Sequence, residues 1–430
     1  MPHWTDHAIW WQVYPLGFTG APARAVGAPL RHRLRACEPW LDYAVELGCS
    51  GLLLGPIFAA ETHGYDTVDF FRIDPRLGDD DDFDRLITAA ADRGLRVVLD
   101  GVFNHVGRTF AKFIEAEAGD PAAARWFRRD ATGEYQTFEG HHHLVALNHD
   151  EPAVADHVQR VMNHWLDRGA AGWRLDAAYA VPADFWARVL PGVRERHPQV
   201  WMVGEMIHGD YAGYATASGL DSVTQYELWK ALWSSLNDGN FYELAWALKR
   251  HNDILGAVTP LTFVGNHDVT RIATRLTDQR HLGHALAVLF TVAGIPSVYS
   301  GDEQAFQGTK QDRVGGDDEI RPVFPADPSG LAPYGWPTYR LHQRLIGLRR
   351  RNPWLVRART TADHLTNHAV ALRSDGDAGE KVLLLLNIGD EPYRFPIDLT
   401  GLRVAETATE TVDPAVVAPH SWTVLTTIAD

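Results

Sequence analysis

Short apolar runs alternate with stretches whose apolar positions recur every three or four residues, from residue 9 to about residue 350. The runs read as β-strands and the periodic stretches as amphipathic helices. Strands are expected at 9–14, 51–57, 95–100, around 170–178, and at 200–205, 222–224, 261–264 and 296–299. The third run is apolar without alternation, as a parallel strand covered on both faces is. Helices are expected over 40–47, 80–94, 154–166, 183–196, near Tyr211, and over 241–249, 281–293 and about 338–350. Asp80, Asp81 and Asp82 open the second of these, where the helix dipole favours acids.

Eight strand–helix pairs in this order predict an α/β fold, a (β/α)8 TIM barrel. A doubly wound open sheet is the alternative, but no Gly-rich phosphate fingerprint follows the first strand. The rhythm stops between 106 and 148, where no βα unit is legible. Beyond residue 355 it changes to short alternating runs at 369–373, 381–386 and 421–427, separated by turns such as Ser374-Asp375-Gly376. That pattern predicts a small C-terminal antiparallel β-sandwich. The expected organisation is a barrel over 1–105 and 149–352, an inserted domain over 106–148, and a β domain over 353–430.

Composition narrows the partners. A net charge of −15, with no basic cluster, excludes nucleic acid. No run approaches the roughly 18 apolar residues of a membrane span. The N-terminus lacks a basic region followed by an apolar one. The expectation is a cytoplasmic protein with no membrane partner. Cys37 and Cys49 make no disulfide framework and are expected as buried free thiols. Of the 15 Trp, most are expected in the core, and some as flat platforms for sugars.

The candidate chemistry lies at strand ends, where barrels carry their active residues. Asp100, Asp176, Glu205 and Asp268 follow strands three, four, five and seven. Arg174 and Asp176 lie two apart on the fourth strand and so project to one side. There the guanidinium is expected to aim the carboxylate and keep it ionised, as a nucleophile requires. Four converging acids need a function to justify their repulsion. Metal-assisted hydrolysis and glycoside hydrolysis both use such sets. A two-metal site wants a denser His/Asp shell than His105 and His267, each preceded by Asn, provide. Retaining glycoside hydrolysis wants two carboxyls about 5–5.5 Å apart. Asp176 and Glu205, on successive strands, are the candidates. Val203, Met206 and Ile207 flank Glu205, apolar neighbours that would raise its pKa for acid duty.

Four segments carry a resemblance. Asp100-Gly-Val-Phe-Asn-His105, Gly172-Trp-Arg-Leu-Asp176, Val203-Gly-Glu205 and Phe263-Val-Gly-Asn-His-Asp268 resemble the signature segments of the alpha-amylase family of retaining α-glycoside hydrolases. His63-Gly-Tyr-Asp-Thr67 and Ile295 to Glu303 are similar to that family's segments around strands two and eight. The resemblance implies Asp176 as nucleophile, Glu205 as general acid/base, and Asp268 as the acid that binds ring hydroxyls and stabilises the transition state. It implies Tyr65, Asp66, His105, Arg174 and His267 as substrate-binding residues, with Tyr65 stacked on the sugar, and Asp100 as a structural acid. It also accounts for an insertion after strand three and a C-terminal β domain.

Leu147-Asn148-His149-Asp150-Glu151-Pro152 resembles the Leu-Asn-x-x-x-Pro stretch of the oligosaccharide-acting branch that includes cyclomaltodextrinases and neopullulanases. The implied activity is hydrolysis of α-1,4 bonds in linear or cyclic maltosyl oligosaccharides, releasing maltose. An exo-acting α-glucosidase or an α-glucan transglycosylase would use the same residues. A silent sugar-binding relative would be expected to lack Asp176 or Glu205. Two departures stand out. Ala177-Ala178-Tyr179 replaces the Lys-His pair of many starch-cleaving amylases. Strand one begins near residue 8, so a homodimer would form without the N-terminal domain such relatives use. No cofactor is expected. A structural calcium would have Asn104, but its acidic partners are not evident in 106–148, and no metal is expected. His141–His143 could bind a metal, but is expected to line the cleft or to be plain surface.

Overall fold

The computed structural model describes residues 3–24 and 27–427. Eight parallel strands form one sheet: β1 (Trp10–Val13), β2 (Gly51–Leu54), β3 (Arg96–Gly101), β4 (Gly172–Leu175), β5 (Trp201–Gly204), β6 (Ser222–Val223), β7 (Leu261–Phe263) and β8 (Ile295–Tyr299). Their order is β6-β5-β4-β3-β2-β1-β8-β7. A parallel bridge between Thr224 and Leu261 joins the two ends and closes the barrel. The helices lie outside: α1 (Leu41–Leu47), α2 (Asp80–Ala91), α3 (Pro152–Asp167), α4 (Ala183–Arg196), α5 (Tyr211–Ser218), α6 (Tyr226–Asn237), α7 (Phe241–Ile254), α8 (Leu282–Thr291) and α9 (Trp336–Arg351). At α2 the three acids occupy the first turn and Asp79 caps it, forming a reciprocal capping box with Asp82. No described helix is long and apolar enough to cross a membrane.

The period-two alternation of the strands decides what fills the barrel. Register aligns Val98, Gly172 and Trp201 in one row and Asp100, Arg174 and Val203 in the next row up. The lower interior is apolar: Trp10, Leu53, Val98, Trp201, Leu261 and Ile295 pack together, with Trp10 and Trp201 stacked at 5.3 Å. Gly172 makes room for this layer, since a Cβ there would lie 2.2 Å from the Trp201 carbonyl. One row higher Asp100 and Arg174 bring charge inward beside Val203, and that row is the floor of the cleft.

The 106–148 segment holds an antiparallel pair (His105–Gly107 with Leu144–Ala146) and two short helices, Ala111–Glu117 and Pro121–Ala124. Five antiparallel strands follow α9: β9 (Arg359–Leu365), β10 (Ala369–Asp375), β11 (Lys381–Asn387), β12 (Leu402–Thr407) and β13 (Ser421–Thr427), ordered β9-β10-β11-β13-β12. One face packs on α8 of the barrel. The other closes over Ala369, Leu383, Phe395, Val417 and Leu425 beneath a two-stranded ribbon (Tyr393–Arg394 with Val416–Val417), which completes the sandwich.

Five elements differ from the sequence reading. Helix α6 had no counterpart there, because β6 is only two residues long and its end merges with the helix start. The hairpin of Phe58–Ala60 with Thr67–Ile73 has no counterpart either, since the second strand is expected to end at Ile57 and 63–67 to be a loop. Both β9 and β12 went unread: exposed residues dominate them and blur the alternation. Cys37 and Cys49 are buried and free, as expected.

Candidate active site

The carboxylates that end the strands converge on one guanidinium. Arg174 Nη1 donates to both oxygens of Asp100 (2.9 and 3.0 Å) and to Asp176 Oδ1 (2.8 Å). Its Nη2 donates to Glu205 Oε1 and lies 4.0 Å from Asp268 Oδ2. Asp100, Arg174, Asp176 and Glu205 are all buried, while Asp268 leaves 27% of its side chain open to the cleft. The sequence-based pairing of Arg174 with Asp176 alone is therefore incomplete. One cation serves three acids.

Sharing has an electrostatic consequence. Burial pushes Asp176 and Glu205 up to about 7 and Asp100 up to about 6, against the pull of Arg174 and with mutual repulsion adding to the rise. Arg174 pulls Asp176 down, but burial and the neighbouring acids act against it, so the three carboxyls titrate as a coupled unit. Asp268 goes the other way. Burial would raise it, but His267, Arg321, Lys310 and Arg174 together hold it well below the usual carboxylate range. His267 is itself pushed down to about 3 by burial, so near neutrality the work falls to the arginines and Lys310.

Local backbone features aim these groups. Ala177, two residues after the end of β4, adopts a left-handed conformation (φ 46°), uncommon for a residue with a Cβ. Its N–H donates to Glu205 Oε2 at 2.9 Å. Glu205 is also held by Tyr226 at the start of α6, whose hydroxyl donates to Oε1 at 3.3 Å. Asn266 orients that tyrosine, donating from Nδ2 to the hydroxyl (2.8 Å) while its Oδ1 accepts the Asp268 N–H (2.8 Å). Arg321 donates from Nη2 to Asp268 Oδ1 at 2.8 Å and lies over the Tyr14 ring at 4.5 Å.

Tyr65 is brought into the same cluster. Its hydroxyl donates to Asp100 Oδ2 (3.1 Å) and contacts His267 Nε2. Gln12 Nε2 approaches His267 Nδ1 at 3.0 Å, which assigns the ring proton to Nε2. His105 uses both nitrogens within the protein, on the Tyr65 carbonyl (3.0 Å) and the Asn104 amide (3.1 Å), and stacks on Phe138 at 4.6 Å. Asp66 is at the wall, but its carboxylate accepts the Thr62 N–H (3.0 Å) and hydroxyl. That contact closes the turn that presents Tyr65. Every residue singled out from the sequence thus falls in or against one cluster. Gln12, Tyr226 and Arg321 were not among them. Tyr226 had a readable signal, since it follows a barrel strand; Arg321, in a loop after β8, had none.

The cluster lines a cleft of about 1450 Å3. Its aromatic lining is Tyr14, Tyr65, Phe138, Tyr179 and Tyr226, with no Trp among the described lining residues. The expectation of indole platforms is therefore not met there; the indoles of Trp10, Trp11, Trp40, Trp165, Trp173, Trp186 and Trp201 are core. Glu139, itself left-handed (φ 48°), accepts from the Tyr179 hydroxyl at 2.8 Å and so ties the 106–148 segment to the loop after β4. His141 and His143 also line the cleft. The donors do not fit a calcium. The Asn104 amide faces His105, and a cation, Arg128, approaches His149 Nδ1 at 3.0 Å.

Residues 12–361 match the family model described as alpha amylase, catalytic domain. A cyclomaltodextrinase of Geobacillus thermopakistaniensis (strain MAS1) is 28% identical over 446 aligned positions, covering 93% of this chain and 71% of that protein. Neopullulanase 2 of Thermoactinomyces vulgaris is 28% identical, covering 94% of this chain and 75% of that protein. Among solved structures, the cyclic α-maltosyl-(1→6)-maltose hydrolase of Arthrobacter globiformis, in complex with that sugar, superposes with a TM-score of 0.83 at 26% identity over 99% of both chains.

Proposed function

The chain belongs to the alpha-amylase family of glycoside hydrolases, and from that premise we propose that it cleaves α-1,4-glucosidic bonds in small linear or cyclic maltosyl oligosaccharides by double displacement. The observation that carries the reading is the single guanidinium that grips both Asp176 and Glu205. Two carboxyls held so close suit the separation of about 5–5.5 Å used in retention better than the roughly 6.5–9.5 Å that leaves room for water in inversion. Asp176 attacks the anomeric carbon as Glu205 protonates the leaving oxygen, and Glu205 then activates water against the glycosyl-enzyme. Asp268, held ionised by Arg321, accepts hydrogen bonds from ring hydroxyls and stabilises the positive charge that develops on the sugar. Two carboxyls and a shared proton supply this chemistry without a metal. A cytoplasmic location and a homodimer remain part of the proposal.

The substrate class rests on the relatives, among them a cyclomaltodextrinase and a cyclic α-maltosyl-(1→6)-maltose hydrolase, and on a cleft whose 106–148 segment is tied to the barrel by the Glu139–Tyr179 contact. Incubation with maltoheptaose, β-cyclodextrin, cyclic maltosyl-(1→6)-maltose, soluble starch and isomaltose tests it by product chromatography. Ring opening with maltose as end product is expected. Glucose released only from open chain ends would move the assignment to an α-glucosidase, and longer products than the starting sugar would indicate transfer.

Two further outcomes follow from the electrostatics. The profile of kcat/KM against pH should be a narrow bell centred near 7. Activity falls with rising pH as the acid loses its proton and with falling pH as the nucleophile gains one. In Glu205→Gln the alkaline limb should vanish for α-maltosyl fluoride, which needs no protonation, while turnover of maltoheptaose drops by about 10^2–10^4-fold. Arg321→Gln removes the nearest charge from Asp268. A charged hydrogen bond of about 1.5–3 kcal/mol corresponds to a loss of roughly 10- to 100-fold in kcat/KM. The acidic limb should keep its position, because it is set by Asp176 and Asp268 titrates well below it. An unchanged kcat/KM would remove Arg321 from this role.

A further inference from the structure

A second cluster lies outside the cleft lining, where the barrel meets the C-terminal sheet. Asp278 and His281 come from the turn before α8, and His420 from the turn before β13. His281 Nε2 and His420 Nδ1 face each other at 3.0 Å, and Asp278 Oδ2 lies 4.0 Å from His420 Nδ1. One ligand atom from each of the three residues falls within 4.8 Å of the other two. His420 Nε2 contacts Asp390 Oδ1 at 2.8 Å, which places the ring proton there and leaves Nδ1 a lone pair aimed at His281. His420 holds this position in a left-handed backbone (φ 47°), uncommon for a residue with a Cβ.

We propose that Asp278, His281 and His420 bind a divalent cation of borderline softness, Zn2+ by its donor set, and so pin the C-terminal sheet to the barrel. Two imidazoles and a carboxylate with a fourth position for water form a common zinc set. At a metal–nitrogen distance of about 2.0–2.1 Å and a tetrahedral angle, two ring nitrogens stand roughly 3.3 Å apart. The observed 3.0 Å needs only a small opening. Asp390 supplies the carboxylate behind a ligating histidine that fixes its tautomer and raises its basicity. The competitor is Arg280, which donates to the Asp278 carboxylate at 2.6–3.0 Å, but its side chain is 59% exposed and free to swing into solvent. His284 lies 5.1 Å from the His281 ring and is already engaged, its Nε2 on the Asn387 carbonyl.

The test is equilibrium dialysis of the chelator-stripped full chain against Zn2+, with metal analysis and melting curves. One Zn2+ per chain at low micromolar concentration is expected, with a melting temperature raised by about 2 °C or more. His420→Asn, which tolerates the left-handed backbone, and His281→Gln should each weaken binding by at least about 10-fold. Asp390→Ala should weaken it by about 10- to 100-fold. Arg280→Gln, a surface change, should tighten it several-fold, which a purely structural histidine pair would not produce. Replacing His141, His142 and His143 together should leave binding unchanged, and oligosaccharide turnover should not depend on Zn2+. Absence of stoichiometric Zn2+ binding, or binding that survives both histidine variants, would overturn the assignment.

Discussion

Asp176→Asn is expected to lose about 10^4-fold or more in kcat/KM, some 5.5 kcal/mol of transition-state stabilisation, while melting at a higher temperature than the parent protein. In the proposed mechanism the first effect follows from removing the group that attacks the anomeric carbon. The second follows from the crowding of Asp100, Asp176 and Glu205 on one guanidinium, which burial does not relieve. A carboxyl whose folded pKa is raised to about 7 holds a proton that the unfolded chain gives up near pH 4. Its contribution to stability is present below that unfolded value and is lost as pH rises through the folded one. The stability gained by the amide should therefore be on the order of 1–3 kcal/mol at pH 8 and clearly smaller at pH 5. Melting curves at the two pH values, beside turnover of maltoheptaose, check both halves. A variant that loses activity but is less stable at pH 8 would mean that the cluster is not under electrostatic strain.

Arg174→Ala should be the most damaging single change for the fold. It leaves three buried carboxyls without a counter-ion, which costs about 3–5 kcal/mol by analogy with broken buried ion pairs. Activity should fall by at least about 10^3-fold, since both Asp176 and Glu205 lose their common anchor. The deficit should shrink at pH 5, where the carboxyls protonate. The double variant Arg174→Ala/Asp176→Asn should be less destabilised than Arg174→Ala alone, a non-additivity that urea unfolding resolves. Wild-type stability of Arg174→Ala at pH 8 would contradict the hub role.

The floor of the cleft was legible because strand alternation is strict: Gly172, Arg174 and Asp176 point inward, as do Val98 with Asp100 and Trp201 with Glu205. The helices were legible where their apolar period was long, as in α3 and α4. What was lost depends on contacts between distant segments. The Tyr226 hydroxyl reaches Glu205 only because a two-residue strand hands directly to α6. Arg321 reaches Asp268 across 53 residues, and no period links them. The left-handed turn at Ala177 leaves no trace in an Ala-Ala pair. In the 106–148 segment, the paired strands come from its two ends, so local patterning could not show them. The Trp count misled in one respect: the seven fully buried indoles lie in the core, and smaller rings line the cleft.

The central claim is that Asp176 and Glu205 act together in a retaining mechanism. The direct measurement is the anomeric configuration of the first-formed product, followed by proton NMR within the first minutes of maltoheptaose hydrolysis, before mutarotation. Double displacement predicts that the new reducing end appears as the α-anomer and drifts to the equilibrium mixture. A product that appears first as the β-anomer would contradict the account, because it requires a single displacement by water and leaves Asp176 without its role as nucleophile.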